Sequence, residues 1–261
     1  MDILLLQTVV PFVITALVVI VITMVAERFG TKIGGLVGTL PSAITVAYVF
    51  IALNQGVEFA SRAIVVVPAE MGINILFLFV FAMLASRSGV VALAGSLLWW
   101  AAASFILYLV GMPSIWASMV VFVAAYAIAF GVLEKVKKSE SVKGRRVSYS
   151  KRKIASRGLL AGTVVMIAVL LSNVGEVISG LFSVFPAIFL STMIVCVLDH
   201  DEKFVAGMAK SMVFGSFTVA TFAVSLHYLF PLGGLVWGTL GSLFLSACMA
   251  LVLFALRGVM E

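Results

Sequence analysis

A chain of 261 residues that is 63% hydrophobic and 11% charged, with a mean hydropathy of +1.25, is excluded from the soluble globular class. No soluble domain of that length keeps so much apolar side chain away from water. The formal net charge of +6 sets 17 basic against 11 acidic residues, and ten of the basic ones fall in one segment, the pattern of a topology signal rather than of a nucleic-acid surface.

Apolar runs of about 20 residues recur, each long enough to cross a hydrocarbon core at 1.5 Å per residue. The chain reads as an all-α polytopic membrane protein. Nine spans fit, at roughly 3–26, 33–54, 60–85, 89–110, 114–133, 155–173, 177–198, 204–226 and 231–256. The first follows a lone acidic residue, Asp2, with no basic segment before it. It is expected to be a permanent span rather than a signal peptide.

The second span contains GGLVGTLPSAI, Gly34 to Ile44, and the seventh contains SGLFSVFPAIF, Ser179 to Phe189. Gly35-Leu36 matches Gly180-Leu181 and Pro41 matches Pro186, a shift of 145 in both cases. Proline removes an N–H and clashes with the preceding turn, and in lipid the freed carbonyl needs another partner or a wet cavity. A discontinuous helix at each site would aim backbone N–H groups and a positive dipole end at mid-depth. Thr39, Ser42 and Ser183 would add hydroxyls. A second reading stands beside this one: Gly34, Gly38 and Ser42, like Ser179, Ser183 and Ala187, form small-residue stripes that serve close helix packing alone.

In the third span, AIVVVPAEMGINILF places Glu70 about ten residues in, beside Pro68 and Gly72. A carboxylate at the bilayer centre costs roughly 2.5–3.5 kcal/mol on insertion scales, so it must face protein or water. The functional reading makes Glu70 a proton- or cation-coupling site; the alternative is a neutral, hydrogen-bonded structural group. Arg62 opens the same span. SRAIVV here aligns with AKSMVF in the eighth span, setting Arg62 opposite Lys210 and Glu70 opposite Thr218. Arg62 and Lys210 either line two electropositive vestibules for an anion or snorkel to the headgroups. In the fourth span Gly95-Ser96-Leu97-Leu98 matches Gly241-Ser242-Leu243-Phe244 in the ninth, a shift of 146.

Spans one to four therefore correspond to spans six to nine, with the fifth as a linker. The expected units are residues 1–112, 113–157 and 158–261. An odd linker threads the second half in the opposite sense, giving a 4+1+4 inverted-topology repeat of the kind found in secondary transporters.

The segment Glu134 to Arg157 holds ten Lys or Arg. Placed in the cytoplasm it puts the N-terminus outside and the C-terminus inside, and only Arg62 then starts from the outer side. Tyr108, Trp116, Tyr228 and Trp237 fall towards the outer interface. The basic loop reads as a solvated connector near anionic lipid rather than a nucleic-acid site, since it lacks aromatic interleaving beyond Tyr149. The inner cluster Asp199, His200, Asp201 and Glu202 reads as a solvated turn, with a divalent-cation site or an inner gate as the alternative. Cys196 and Cys248 sit in apolar runs without ligand spacing and read as small hydrophobes.

GLFSVFPAIF, a short polar loop and AKSMVFG together resemble the GlpM-like family of small bacterial membrane proteins. The resemblance covers about 80 residues of the second repeat, and more weakly the same region of the first. It departs at Lys210, where an Arg is expected, and at Val66-Val67 in the first repeat. It implies a fused, doubled family unit in the plasma (inner) membrane of a prokaryote.

The function expected is a small secondary transporter of a small solute or anion. The substrate-binding candidates are Thr39, Pro41, Ser42, Arg62, Ser183, Pro186, Lys210 and Thr218, with Glu70 as coupling residue. A passive channel of the same fold is the alternative and a non-transport membrane protein the next. An enzyme is not expected: GxSxG, HExxH and CxxC are absent. No cofactor, metal or nucleic-acid partner is expected; the partners are the lipid bilayer and a small solute or ion, with a homodimer left open.

Overall fold

The computed structural model describes residues 5, 7–28, 41–136, 150–199 and 202–260. These form α1 (Val9–Arg28), α2 (Ser42–Gln55), α3 (Val57–Ala63), a 3-10 turn (Ile64–Val66), α4 (Val67–Leu84) and α5 (Gly89–Val110). They continue with α6 (Ile115–Val136), α7 (Lys151–Leu171), α8 (Glu176–Ser183), α9 (Ala187–Asp199), α10 (Glu202–Gly215) and α11 (Phe217–Met260). Six helical stretches are long and apolar enough to cross a membrane, and α1 and α2 contribute two shorter apolar segments. The protein is a multi-pass, all-helical membrane protein.

Local chemistry sets the element ends. Ser88 begins α5, its hydroxyl accepting from the Val91 N–H at 3.1 Å, and Ser150 does the same for Lys153 at the start of α7. Gly56, at φ 91°, ends α2 and turns the chain directly into α3, a backbone conformation that side chains with a Cβ resist.

The long run α11 is not one rod. Gly234 has φ 64° and ψ −167°, and Pro231 precedes it. The Ser246 hydroxyl donates to the Thr218 carbonyl at 2.9 Å. In a straight helix those residues would lie about 42 Å apart, so the chain reverses at Gly234. A Cβ on Gly238 would lie 2.9 Å from the Leu229 carbonyl oxygen, which shows how closely the two arms approach at the turn.

The segment Val57–Leu84 is the centre of the molecule: 72% of its most apolar window is buried, against 22% for α5. Helix α5 and the outer faces of α6 and α11 display bare apolar side chains, as lipid-facing helices do, among them Val90, Leu98, Val110, Val120 and Leu232. Tyr108, Trp116, Tyr228 and Trp237 are all exposed, between 44% and 74%, as an interfacial belt requires.

The expected second span appears as α2 from Ser42 onward; Gly34, Gly35, Gly38 and Thr39 lie outside the described residues. The expected seventh span is broken. Helix α8 ends at Ser183, Val184 leaves helical geometry at φ −117° and ψ 21°, and α9 starts after Pro186. Ser42 and Ala187, the first residues of α2 and α9, are themselves 145 apart. The expected third span starts three residues earlier, at Val57, and carries the 3-10 turn. The eighth is interrupted at Ser216, between α10 and α11. The middle of the basic loop and His200 and Asp201 of the acidic cluster fall outside the described residues.

Helices cross most tightly at glycine. A Cβ on Gly180 would fall on the Ala63 carbonyl oxygen and sit 2.6 Å from Val66 Cγ1. Gly180→Val is therefore expected to lower stability by about 1–3 kcal/mol through overpacking. Gly131→Ala, where a Cβ meets open space, should be neutral or stabilising by up to about 1 kcal/mol. Unfolding of the detergent-solubilised variants measures both; equal effects at the two sites would refute the tight α3–α8 crossing.

Candidate functional site

A crevice of about 110 Å³ opens where the start of α2 meets the α8–α9 break. Pro41 and Ser42 at the start of α2 line one side, and Ser183 and Pro186 at the α8–α9 break line the other. Gly215 and Ser216, at the break before α11, and Asn74 of α4 complete its polar and backbone lining. No Lys, Arg, Asp, Glu or His lines it among the described residues.

Asn74 is the residue that the sequence reading did not single out. It is 1% exposed, and its Nδ2 donates to the Val184 carbonyl at 2.7 Å. That carbonyl lies in the α8–α9 break, ahead of Pro186, so the amide supplies the partner that the broken helix lacks. The bond also fixes which way the amide points, because Oδ1 facing the carbonyl would set two acceptors against each other. Asn74 Oδ1 is then left buried with no hydrogen-bond partner. The available signal was the bare presence of an Asn inside an apolar span, one helical turn from Glu70.

Glu70 is fully buried but does not line the crevice. The Ser104 hydroxyl of α5 donates to its Oε1 at 2.7 Å. The other carboxyl oxygen has no hydrogen-bond partner, and neither does Trp100 Nε1, although the indole lies beside the same carboxyl. The Trp100 ring packs edge-on against Phe185 at 4.7 Å and against Phe182 at 6.1 Å between centroids. Phe185 lines the crevice. Glu70 thus reaches the crevice through two aromatic side chains, Trp100 and Phe185.

Thr218, aligned with Glu70, is also fully buried, and its hydroxyl donates to the Gly215 carbonyl at 2.8 Å. Ser246, which bonds the Thr218 carbonyl, stands 146 residues after Trp100, the shift that relates the fourth and ninth spans.

Arg62 is not in the crevice. Its Nε donates to Glu176 Oε1 at 2.6 Å, with the two side chains 56% and 34% exposed, so its charge is matched at one end of the bundle. Lys210 is also outside the crevice, with its ammonium 5.3 Å from the centre of the Phe130 ring. Thr39 lies outside the described residues.

The end that carries Arg62 is rich in polar links. Gln7, Asn54, Ser172 and Asn173 form one network: Gln7 Nε2 donates to Asn54 Oδ1, and Asn54 Nδ2 donates to Ser172 Oγ at 2.8 Å. Ser61 donates to the His227 carbonyl at 2.7 Å, and His227 Nδ1 lies 2.7 Å from the Ser61 carbonyl.

Comparison with protein-family models, with characterised proteins and with solved structures gives no match. The GlpM-like resemblance rests on the quoted residues alone.

Ser104→Ala should lower stability by about 1–3 kcal/mol, because it strands a second carboxyl oxygen in the interior. The same change on a Glu70→Leu background should cost less than about 0.5 kcal/mol. Equal costs in both backgrounds, measured by detergent unfolding, would show that the Ser104–Glu70 contact carries no energy.

Proposed function

We propose that the protein is a small secondary transporter that moves a small solute by alternating access, with Glu70 as its coupling group. The observation that carries this reading is the crevice itself. It is bounded by two helix starts 145 residues apart in sequence, one of them at the α8–α9 break. Transporters built from inverted repeats bind their substrates near mid-depth at such discontinuous helices.

Nine passes in a 4+1+4 arrangement fit the contacts. The reversal at Gly234 divides α11 into two arms, which with the two shorter apolar segments brings the crossings to nine. The polar links at the Arg62 end involve only the starts of the first, third and seventh spans and the ends of the second, sixth and eighth. That alternation is what nine successive crossings require. A pseudo-two-fold axis has support as well. Gly162 approaches Phe12 and Gly158 approaches Ala16 across α1 and α7. Those contacts centre on residues 14 and 160, which are 146 apart, so the two helices meet at equivalent points. With the basic loop inside, the N-terminus is outside and the C-terminus inside.

Glu70 links to the crevice through Trp100 and Phe185. A change in its charge alters what the Trp100 N–H faces, and Trp100 leans on both aromatic residues flanking the α8–α9 break. The two protonation states would thereby favour different settings of the break.

Proteoliposome flux with a panel of small anions, amino acids and cations, with and without a pH gradient, tests the reading. Wild type should accumulate a solute only when the gradient is present. Glu70→Gln should abolish gradient-driven accumulation while retaining exchange of solute down its own gradient. Gradient dependence unchanged in Glu70→Gln removes the coupling role. Conductive, unsaturable flux in wild type would make the protein a channel.

A further inference from the structure

We propose that the crevice binds a small monoanion that carries its own hydrogen-bond donor, its anionic end held between the starts of α2 and α9 and its donor on Asn74 Oδ1. This rests on the crevice being the solute site of the transport reading.

Two helix starts converge there. Ser42, Ala43 and Ile44 of α2 and Ala187, Ile188 and Phe189 of α9 all line it. With lengths of 14 and 13 residues, both helices are long enough for a full terminal dipole. The first-turn N–H groups of a helix have no acceptor within that helix; at α9 the Phe185 carbonyl takes the Ala187 N–H at 2.7 Å, which leaves those of Ile188 and Phe189, and each start carries the equivalent of about +0.5 elementary charge. Two together match one negative charge. Since no ionisable side chain lines the crevice among the described residues, a dianion would be left uncompensated and a cation would meet the wrong field.

Asn74 supplies the second requirement independently. Its Oδ1 is a buried acceptor without a partner, and the bond from Nδ2 to Val184 prevents the amide from turning to present a donor instead. An anion that offers only acceptors leaves Oδ1 unsatisfied. One with an O–H or N–H beside its charged group satisfies both ends. An ammonium-bearing zwitterion would bring a full positive charge to a site with no carboxylate. A cavity of about 110 Å³ holds only a handful of heavy atoms.

The test is equilibrium binding to the purified full-length protein in lipid nanodiscs, by calorimetry, with three matched probes. Glycolate is an anion with a donor, acetate an anion without one, and glycolamide a neutral donor. Wild type should bind glycolate at least tenfold more tightly than acetate or glycolamide. Asn74→Leu should bring glycolate and acetate within about threefold of each other. Equal affinity for all three in wild type, or binding of none, overturns the assignment; so does discrimination that persists in Asn74→Leu. Because binding is measured without any gradient, the two readings fail separately. Selective glycolate binding with no flux in liposomes would sink transport and leave the site. Gradient-driven flux without selectivity would do the reverse.

Discussion

A backbone polar group in the hydrocarbon core has no water to turn to, and the α8–α9 break, the 3-10 turn and the break at Ser216 each carry a polar link beside them. Where Pro186 breaks the seventh span, Asn74 holds the Val184 carbonyl. Beside the 3-10 turn and Pro68 in the third, the Ala69 N–H donates to Ser118 Oγ at 2.8 Å. Around the break at Ser216 the Gly215 carbonyl takes the Thr218 hydroxyl, and Ser246 caps Thr218 in turn. Each link ties a break to its own turn or to a neighbouring helix. The breaks are therefore held in place by neighbours rather than left as loose hinges. Asn74 serves a break while keeping an unused acceptor beside the crevice.

The same constraint accounts for the division between centre and periphery. The segment 57–84 carries the buried Glu70 and Asn74 and is wrapped on most sides by protein. Helix α5 contributes only Ser104, Trp100 and a few other inward residues and otherwise presents apolar side chains outward. Polar atoms lie where helices meet, because lipid offers them nothing. Charge follows the same rule: Arg62 and Glu176 pair at an exposed end, where such a bridge contributes at most about 1 kcal/mol. Their pairing removes Arg62 from the role of a free anion attractor.

Much of the backbone logic was legible in the residues. Pro186 announced an interruption, which the structure shows between Ser183 and Ala187, and a helix begins at Ser42, directly after Pro41. The Ser179, Ser183 and Ala187 stripe signalled close helix packing on this segment, and an isolated Glu in an apolar run signalled burial. What the chain did not disclose depends on which helix faces which. Glu176 sits 114 residues from Arg62, and nothing local to either predicts the pair. Trp100 reads in sequence as one of two adjacent tryptophans in an apolar helix, and only packing turns it towards Glu70 and Phe185. Asn74 was passed over because its importance lies in the Val184 carbonyl, 110 residues away. Span ends also shifted, since Gly56 and Gly234 allow turns far tighter than average connecting loops.

The proposed transport mechanism requires two halves that cross the bilayer in opposite senses. Ser86, in the turn between α4 and α5, and Leu232, at the reversal of α11, are both exposed and stand 146 residues apart. Single cysteines placed at each, in a background lacking Cys196 and Cys248, can be labelled with a membrane-impermeant thiol reagent in intact cells and in inverted vesicles. The account predicts that Ser86→Cys reacts only from the cytoplasmic side and Leu232→Cys only from the outside. Labelling of both from the same side would contradict it.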